Sequence, residues 1–206
     1  MSAPTTRRRA VTVERLLDAA LETFADTGFA AASVEDVCRR GGFTRGAFYS
    51  SFSTKHELFA ALMTRETARD LAAAEQLVAE VSGAADPLVA AVDRVTELLA
   101  ASRAWTLVLT EYQLLAARDA DAADLLDRFA AAKTTQVAEV LTRAADTLGI
   151  TLTAPAVDVA QAFLALHHGL ALASASTPGT PVGALERSAF LALVRGVTAP
   201  AAAPTP

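Results

Sequence analysis

The sequence predicts an all-α protein from three observations. Of its 206 residues, 49 are alanine, the strongest helix former, whereas glycine and proline number only 10 and 8. Apolar residues recur at spacings of three and four, as on one face of a helix, and no segment alternates as a half-buried strand does. With 52% apolar and 20% charged residues, the chain has the composition of a globular protein and not of a disordered one.

The first helix is predicted to run from about Val11 to Asp26. Between Val13 and Phe24 the apolar side chains lie three or four residues apart, and Gly28 is suited to end the helix. Residues 1–9 are polar and contain three consecutive arginines, so we expect a flexible basic arm before this helix.

Two short helices separated by a tight turn are predicted next. Ser33 and Asp36 have the spacing of a capping box, which predicts a second helix over Val34–Arg40. The two glycines that follow favour a turn, because glycine adopts positive φ at little cost. Thr44 is then placed to cap a third helix over Arg45–Phe52.

The later helices follow from the same signals. Thr54 and Glu57 repeat the capping-box spacing, which predicts a fourth helix reaching about Val81. Further helix boundaries are indicated by proline at the first position of a helix and by glycine just after its last residue. The remaining helices are predicted at about residues 87–102, 105–117, 121–148, 155–174 and 181–197. The proline-rich segment 199–206 is predicted to be a disordered tail.

Positive charge is concentrated at the start of the chain. The net charge is -5, yet residues 1–55 hold eight Arg or Lys and six Asp or Glu, a net of +2, which leaves -7 for the rest. Phosphate contacts act over a short range because salt screens charges beyond about 8 to 10 Å. A nucleic-acid binder with an acidic overall balance is therefore compatible with this sequence.

The second and third predicted helices have the pattern of a helix-turn-helix reader of DNA. Phe48 and Phe52 would anchor the third helix, whose small residues would let its backbone settle into the major groove. Arg45 offers either a paired donor to guanine or a charge to phosphate, and both alternatives stay open. The hydroxyl groups of Thr44 and Tyr49 suit phosphate oxygens. The charge of Lys55, in the first turn of the next helix, suits them as well. The candidate DNA-binding residues are Thr44, Arg45, Gly46, Ala47, Tyr49, Ser50 and Lys55.

The stretch SVEDVCRRGGFTRGAFYSSFSTKHELFAAL resembles the DNA-binding signature of the TetR family of bacterial transcriptional regulators. The resemblance covers about residues 11–63 and departs from the family pattern at Gly41 and Phe43, neither of which removes a DNA contact. It implies a helix-turn-helix DNA-binding domain at 10–54 and a helical ligand-binding and dimerisation domain at 55–198. It also implies a repressor that binds a palindromic operator in double-stranded DNA as a homodimer and is released by a small-molecule effector.

Residues for the dimer and for the effector are suggested further along the chain. On the predicted helix 155–174 small residues recur at spacings of three and four, which allows a second helix to approach closely. These candidate dimer-interface residues are Ala162, Ala165, Gly169 and Ala173. Aromatic residues and one histidine lie where related proteins have their effector pocket, and core packing is the alternative for each. These candidate ligand-binding residues are Trp105, Tyr112, Phe129, Phe163 and His167. An apolar or amphipathic effector is expected, because ionisable groups are few in this region.

Other classes of protein are disfavoured by the sequence. It has no G-x-S-x-G, phosphate-loop or H-E-x-x-H motif, so we predict that the protein is not an enzyme. His167 and His168 are adjacent and therefore point in different directions on a helix, so we predict no metal site. No cofactor is predicted. The single Cys38, the lack of an apolar signal peptide and the lack of a long apolar run predict a cytoplasmic protein that does not span a membrane.

Two alternatives to a repressor stay open, a helical scaffold protein and an activator of the same family. Arg7, Arg8 and Arg9 form either a solvated tail or an arm in the minor groove.

Overall fold

The computed structural model describes residues 3–98, 103–177 and 182–200, and these ranges confirm the predicted all-α fold. The helices are α1 (Ala3–Thr27), α2 (Val34–Gly41), α3 (Arg45–Tyr49), α4 (Lys55–Val81), α5 (Pro87–Leu98), α6 (Arg103–Ala116), α7 (Ala120–Leu148), α8 (Ala156–Ser176) and α9 (Val182–Val197). Two short strands, β1 (Ile150–Leu152) and β2 (Thr198–Pro200), accompany them.

The chain divides into two compact units. The first consists of Met1–Glu66 together with Ala104–Phe129, and the second of Thr67–Arg103 together with Ala130–Pro206. The first unit therefore contains the predicted helix-turn-helix and, beyond what the sequence predicted, most of α6 and the start of α7.

The core of the first unit is an aromatic cluster. The ring of Phe29 lies 5.1 Å from Phe24, 5.2 Å from Phe59 and 4.9 Å from Tyr112, measured between ring centroids. Phe59 and Tyr112 are stacked at 4.0 Å, and all four side chains are buried. Since each buried aromatic side chain removes a large apolar area from water, this cluster fixes α1, α4 and α6 against one another.

The second unit packs α9 against both α5 and α8. The chain leaves α7 through Gly149, whose φ is +65°, and enters β1. This strand pairs antiparallel with β2, with Ile150 opposite Pro200 and Leu152 opposite Thr198. No strand was predicted, because three residues are too few to show an alternating pattern.

Both predicted chain ends need correction. The arm expected at 1–9 is helical from Ala3 onward, since proline is tolerated in a first helical turn and alanine and arginine favour helix. The tail expected at 199–206 begins inside β2. Pro200 ends this strand, and proline has no backbone N–H that would need a partner. Residues 1–2 and 201–206 lie outside the described ranges.

Candidate nucleic-acid interface and effector cavity

Helix α2 and the turn after it are defined by their caps. The backbone amide of Asp36 donates to Ser33 Oγ at 3.2 Å, and the amide of Ser33 donates to Asp36 Oδ2 at 3.0 Å, which completes the predicted capping box. The Ser33 hydrogen bonds lower the pKa of Asp36. At the other end Gly42 has a φ of +71°, in the left-handed region that favours glycine. The direction in which α3 leaves the turn is thus set by a cap and a glycine.

One side of helix α3 is buried and fixes its position. The Thr44 hydroxyl accepts a hydrogen bond from the amide of Ala47 at 3.2 Å and caps the helix as predicted. Phe48 is fully buried and Phe52 nearly so, with their ring centroids 5.8 Å apart. Burial raises the pKa of Cys38, whose thiol donates to the Thr44 carbonyl. The helix ends at Tyr49, not at Phe52 as predicted, because Ser50 and Ser51 form a turn after it.

The opposite side of α3 is open to solvent. Thr44, Arg45, Gly46, Tyr49 and Ser50 are exposed and form what we call the α3 face, while Ala47 beside them is half-buried. Half of the Tyr49 surface is exposed, at 50%, which is unusual for an aromatic residue next to a core. Six of the seven candidate DNA-binding residues are therefore together on or beside this face.

Two contacts hold Arg45 on the α3 face. Its guanidinium lies 2.7 Å from Glu35 Oε1 and 5.8 Å from the centroid of the Tyr49 ring. Both members of the ion pair are exposed, and such pairs contribute only about 0 to 1 kcal/mol. A phosphate or a guanine edge is thus able to replace Glu35 as the partner of this guanidinium.

Lys55 makes contacts within the protein that were not predicted. Its ammonium donates to the carbonyl oxygens of Phe29, Ala30 and Ala32 at 2.6, 3.2 and 2.8 Å, and it lies 4.5 Å from the centroid of the Phe29 ring. Burial lowers the pKa of Lys55, and the Glu111 carboxylate opposes this effect. Because an ammonium has only three donors, all three are used within the protein in this structure, and a contact of Lys55 with DNA stays a prediction.

The same loop is held from its other side by Glu111 of α6. The amide of Phe29 donates to Glu111 Oε2 at 2.7 Å, and the amide of Ala30 donates to Oε1 at 3.2 Å. We call residues 28–32 the clamped loop, since one carboxylate binds its amides and one ammonium binds its carbonyls. Neither Glu111 nor this use of Lys55 was predicted, because their partners lie on backbone atoms that no sequence pattern reveals.

The basic segment at the start of α1 reaches α3. Arg9 Nη2 donates to the carbonyl of Ser50 at 3.3 Å, and Arg9 is exposed. The side chains of Arg7 and Arg8 lie outside the described part of the chain. The described arginine thus lies beside the α3 face, and the choice between a solvated tail and a minor-groove arm stays a prediction.

The second unit contains an apolar cavity of about 180 Å³. Phe163 and His167, two of the candidate ligand-binding residues, lie in its wall. The imidazole Nδ1 of His167 is 3.0 Å from Glu186 Oε1, and Glu186 is buried. Most of the wall is aliphatic, and its other polar residues are Asp70, Lys133 and Thr198.

The other three candidate ligand-binding residues are not in this cavity. Tyr112 is fully buried in the core of the first unit, and Trp105 and Phe129 pack against that core. The Tyr112 hydroxyl lies 3.0 Å from Nδ1 of His56, and burial raises the pKa of Tyr112 to about 12. Their assignment to the cavity is corrected, because α6 and the start of α7 belong to the first unit.

Lys133 could have been found from the sequence. The α7 residues in the cavity wall include Val137, Val140, Leu141 and Leu148, at helical spacings of three, one and seven. Lys133 lies four residues before Val137 and so falls on the same apolar stripe. A lysine on an otherwise apolar helix face is the signal that marks this residue in the sequence.

Helix α8 leaves its small residues exposed. Ala162, Ala165, Gly169 and Ala173 are all exposed in the single chain, on one stripe of the helix. Two larger apolar side chains are exposed as well, Val157 of α8 at 46% and Leu185 of α9 at 57%. Among the described helices, α8 passes a length and hydropathy test for crossing a membrane, but a single apolar helix packed on α9 is not a membrane span.

Taken together, α2, the turn at Gly42 and the exposed α3 define a helix-turn-helix protein. The model of a family described as bacterial regulatory proteins, tetR family, matches residues 16–62. The HTH-type transcriptional regulator Rv2912c of Mycobacterium tuberculosis is 31% identical over 115 residues, which are 56% of this chain and 57% of that protein. SrpR of Pseudomonas putida is 40% identical over 52 residues, 25% of this chain and 24% of its own length. The chain thus spans little more than half the length of Rv2912c and about a quarter of the length of SrpR.

Solved structures share the fold over nearly the whole chain. A protein from Rhodococcus sp., described as a TetR-family transcriptional regulator, has a TM-score of 0.74 and 20% identity, with 91% of this chain and 98% of that one covered. FadR from Bacillus subtilis, in complex with stearoyl-CoA, has a TM-score of 0.68 and 17% identity, with 89% and 98% covered. Residues 16–62 thus match the tetR family model, and the chain shares its fold with solved structures described as transcriptional regulators. Such regulators are not enzymes, in agreement with the prediction.

Proposed function

We propose that this protein is a homodimeric repressor that binds a palindromic operator through the α3 face. The observation that carries the proposal is the exposure of Arg45, Gly46 and Tyr49 on a helix whose other side is buried. Gly46 has no side chain, and a Cβ built there meets only Thr44 Oγ1, at 3.8 Å. The backbone of α3 is therefore free to approach the floor of the major groove.

The dimer is proposed to form through α8 and α9. Their exposed surface combines small residues, which allow close helix packing, with Leu185, which would otherwise remain in water. A symmetric pair of such surfaces is the commonest route to a dimer. It would present two copies of α3 to half-sites about 34 to 36 Å apart, or a multiple of that distance.

The effector is proposed to bind in the cavity of the second unit. Helix α4 supplies Lys55 to the clamped loop and Asp70 to the cavity wall, so one continuous helix joins the two places. A ligand that prefers a displaced α4 would disfavour the DNA-binding arrangement, because an effector acts only through its difference in affinity for two states. Changing the ratio of the states from 1:99 to 99:1 needs about 5.5 kcal/mol of preference. Binding of DNA and effector implies a cytoplasmic protein.

The test is selection of bound sequences from a random DNA pool, followed by titrations with wild type and Arg45→Ala at several salt concentrations. We expect a palindromic site and a loss of about 1 to 3 kcal/mol in the variant, restricted to one base position if Arg45 reads guanine. If Arg45 contacts phosphate, all sequences weaken alike and the salt slope falls by about 0.9.

Arg94→Ala is the matched control. Arg94 is about as exposed as Arg45 and also pairs with a glutamate, at 2.5 Å from Glu97, but it lies on α5 in the second unit. The control removes the same charge and should bind DNA as wild type does. Absence of salt-dependent DNA binding in the wild-type protein would refute the proposal and favour a helical scaffold.

A further inference from the structure

The side chain of Lys133 is largely buried, and its ammonium has one distant carboxylate as an ion partner. Only 17% of its side chain is exposed, and the nearest carboxylate atom, Asp70 Oδ2, is 3.9 Å away, beyond hydrogen-bond distance. Within the described part of the chain no acceptor forms a hydrogen bond with it. Burial lowers the pKa of Lys133, and the Asp70 carboxylate opposes this effect. Since a buried charge is costly unless it is paired, this ammonium is suited to receive a ligand atom.

The cavity changes character along α7. Lys133 and Leu148 both lie in its wall and are fifteen residues apart, which is about 22 Å at a rise of 1.5 Å per residue. Asp70 lies at the Lys133 end, and β1 follows directly after Leu148 at the other end and adds aliphatic Ile150 and Leu152. The wall therefore has a polar end with two charged residues and a mainly aliphatic end, where Thr198 opposite Leu152 is the polar residue.

The charges in and next to the cavity wall favour an anion over a cation. The carboxylate of Glu186 already pairs with His167, and Asp70 faces Lys133 while 44% of its side chain stays exposed to water. The ammonium of Lys133 is the group with donors to spare. A cationic ligand would be repelled by Lys133 and would have to compete with it for Asp70.

We propose that the cavity binds an amphipathic carboxylate, with its oxygens at Lys133 and its hydrocarbon part along the aliphatic wall of α7. This inference rests on the proposed effector role of the cavity and specifies the chemical class of the effector. At roughly 10 to 15 Å³ for each water-sized group, 180 Å³ holds about a dozen such groups. Decanoate, with about twelve non-hydrogen atoms, is a probe of that size.

The experiment is isothermal titration calorimetry on the full chain with three probes that differ only in the headgroup: decanoate, decan-1-ol and decyltrimethylammonium. We expect decanoate to bind wild type about 10- to 100-fold more tightly than decan-1-ol, because it adds charge-assisted hydrogen bonds to Lys133. Equal binding of decanoate and decan-1-ol, or preference for the cation, overturns the inference. This comparison needs no variant and stays decisive if a substitution impairs folding.

Two substitutions at one position sharpen the test. Lys133→Met keeps the length and apolar stem but removes the charge, so decanoate should lose about 10- to 100-fold while decan-1-ol binds as before. Lys133→Arg keeps the charge and should retain most of the preference for the carboxylate. Undiminished decanoate binding by Lys133→Met contradicts the inference.

Failure of this inference is distinguishable from failure of the proposed function. Calorimetry with the probes involves no DNA, and operator binding by fluorescence anisotropy involves no ligand. A protein that binds its operator but shows no preference for decanoate overturns the ligand class alone. A protein that prefers decanoate but binds no DNA overturns the repressor proposal and leaves the ligand class supported.

Discussion

Replacing Lys55 by methionine separates two roles for this residue. Resemblance to DNA-binding proteins assigns its charge to a phosphate, whereas the structure directs its ammonium to three carbonyls of the clamped loop. Lys55→Met removes the charge and all three donors while it keeps the apolar stem. The two roles then predict different changes in stability and in the salt dependence of DNA binding.

The loss of stability is worked out from the three hydrogen bonds. The carbonyls of Phe29 and Ala32 belong to buried residues and are left without a partner, while that of Ala30 is exposed and is solvated instead. Each hydrogen bond to a charged group contributes about 1.5 to 3 kcal/mol, so two of them give at least about 3 kcal/mol. The contact of the ammonium with the Phe29 ring adds about 0.5 to 1 kcal/mol.

The assay is urea unfolding at one fixed protein concentration, because the stability of a dimer depends on concentration. We expect Lys55→Met to lower the free energy of unfolding by about 3.5 to 4 kcal/mol. Lys55→Arg is the control. A planar guanidinium keeps the charge but does not place three donors as an ammonium does, so Lys55→Arg should keep any contact with phosphate but only part of the stability.

DNA titrations at several salt concentrations complete the assay. If Lys55 acts through the clamped loop, Lys55→Met weakens DNA binding without changing the slope of log K against log salt. If it contacts phosphate, the slope falls by about 0.9. A variant with wild-type stability, within about 0.5 kcal/mol, and a reduced salt slope would refute our assignment of Lys55 to the loop.

Two further predictions concern the α3 face and the dimer. Gly46→Ala should raise stability by about 0.5 to 1 kcal/mol in urea unfolding, since alanine favours helix. The same variant should bind the operator more weakly, because the new methyl group lies on the α3 face. Unchanged DNA affinity would contradict a close approach of the helix backbone at Gly46. Leu185→Glu should convert the dimer to monomers in sedimentation experiments, because it places a charge in the proposed interface. Val11→Glu, at a similarly exposed apolar residue of α1, should leave the dimer intact, and a dimeric Leu185→Glu would exclude this surface.

Helix boundaries were predictable where a local signal determines them. The capping box at Ser33 and the cap at Thr44 form as the sequence indicates, and α4 runs from Lys55 to Val81 as predicted. These features depend on residues three or four apart in the chain. The anchoring of α3 by Phe48 was predictable for the same reason, because burial follows from its place on the helix.

Features that depend on distant parts of the chain were not predictable in this way. The aromatic residues of α6 have the same helical spacing whether they line a cavity or complete a core, and the fold places Tyr112 in the core. The strands β1 and β2 are three residues each and pair across α8 and α9, so neither shows a pattern alone. The contacts of Lys55 with the loop were not predictable, because a lysine at a helix start suits a phosphate and a carbonyl equally well.

Gly28 shows how a local signal and a distant contact coincide at one residue. The sequence predicts it as the end of a helix, and its φ of +84° agrees with that role. A Cβ at this position would also lie 2.8 Å from Glu111 Oε1, so the same glycine admits the carboxylate that binds the amides of Phe29 and Ala30. With Lys55 on the carbonyls of the same loop, α6 and α4 are each tied to it, and a displacement of either helix must break these bonds or move the loop. The clamped loop is therefore one route by which a movement of α4 would reach the end of α1 and the start of α2.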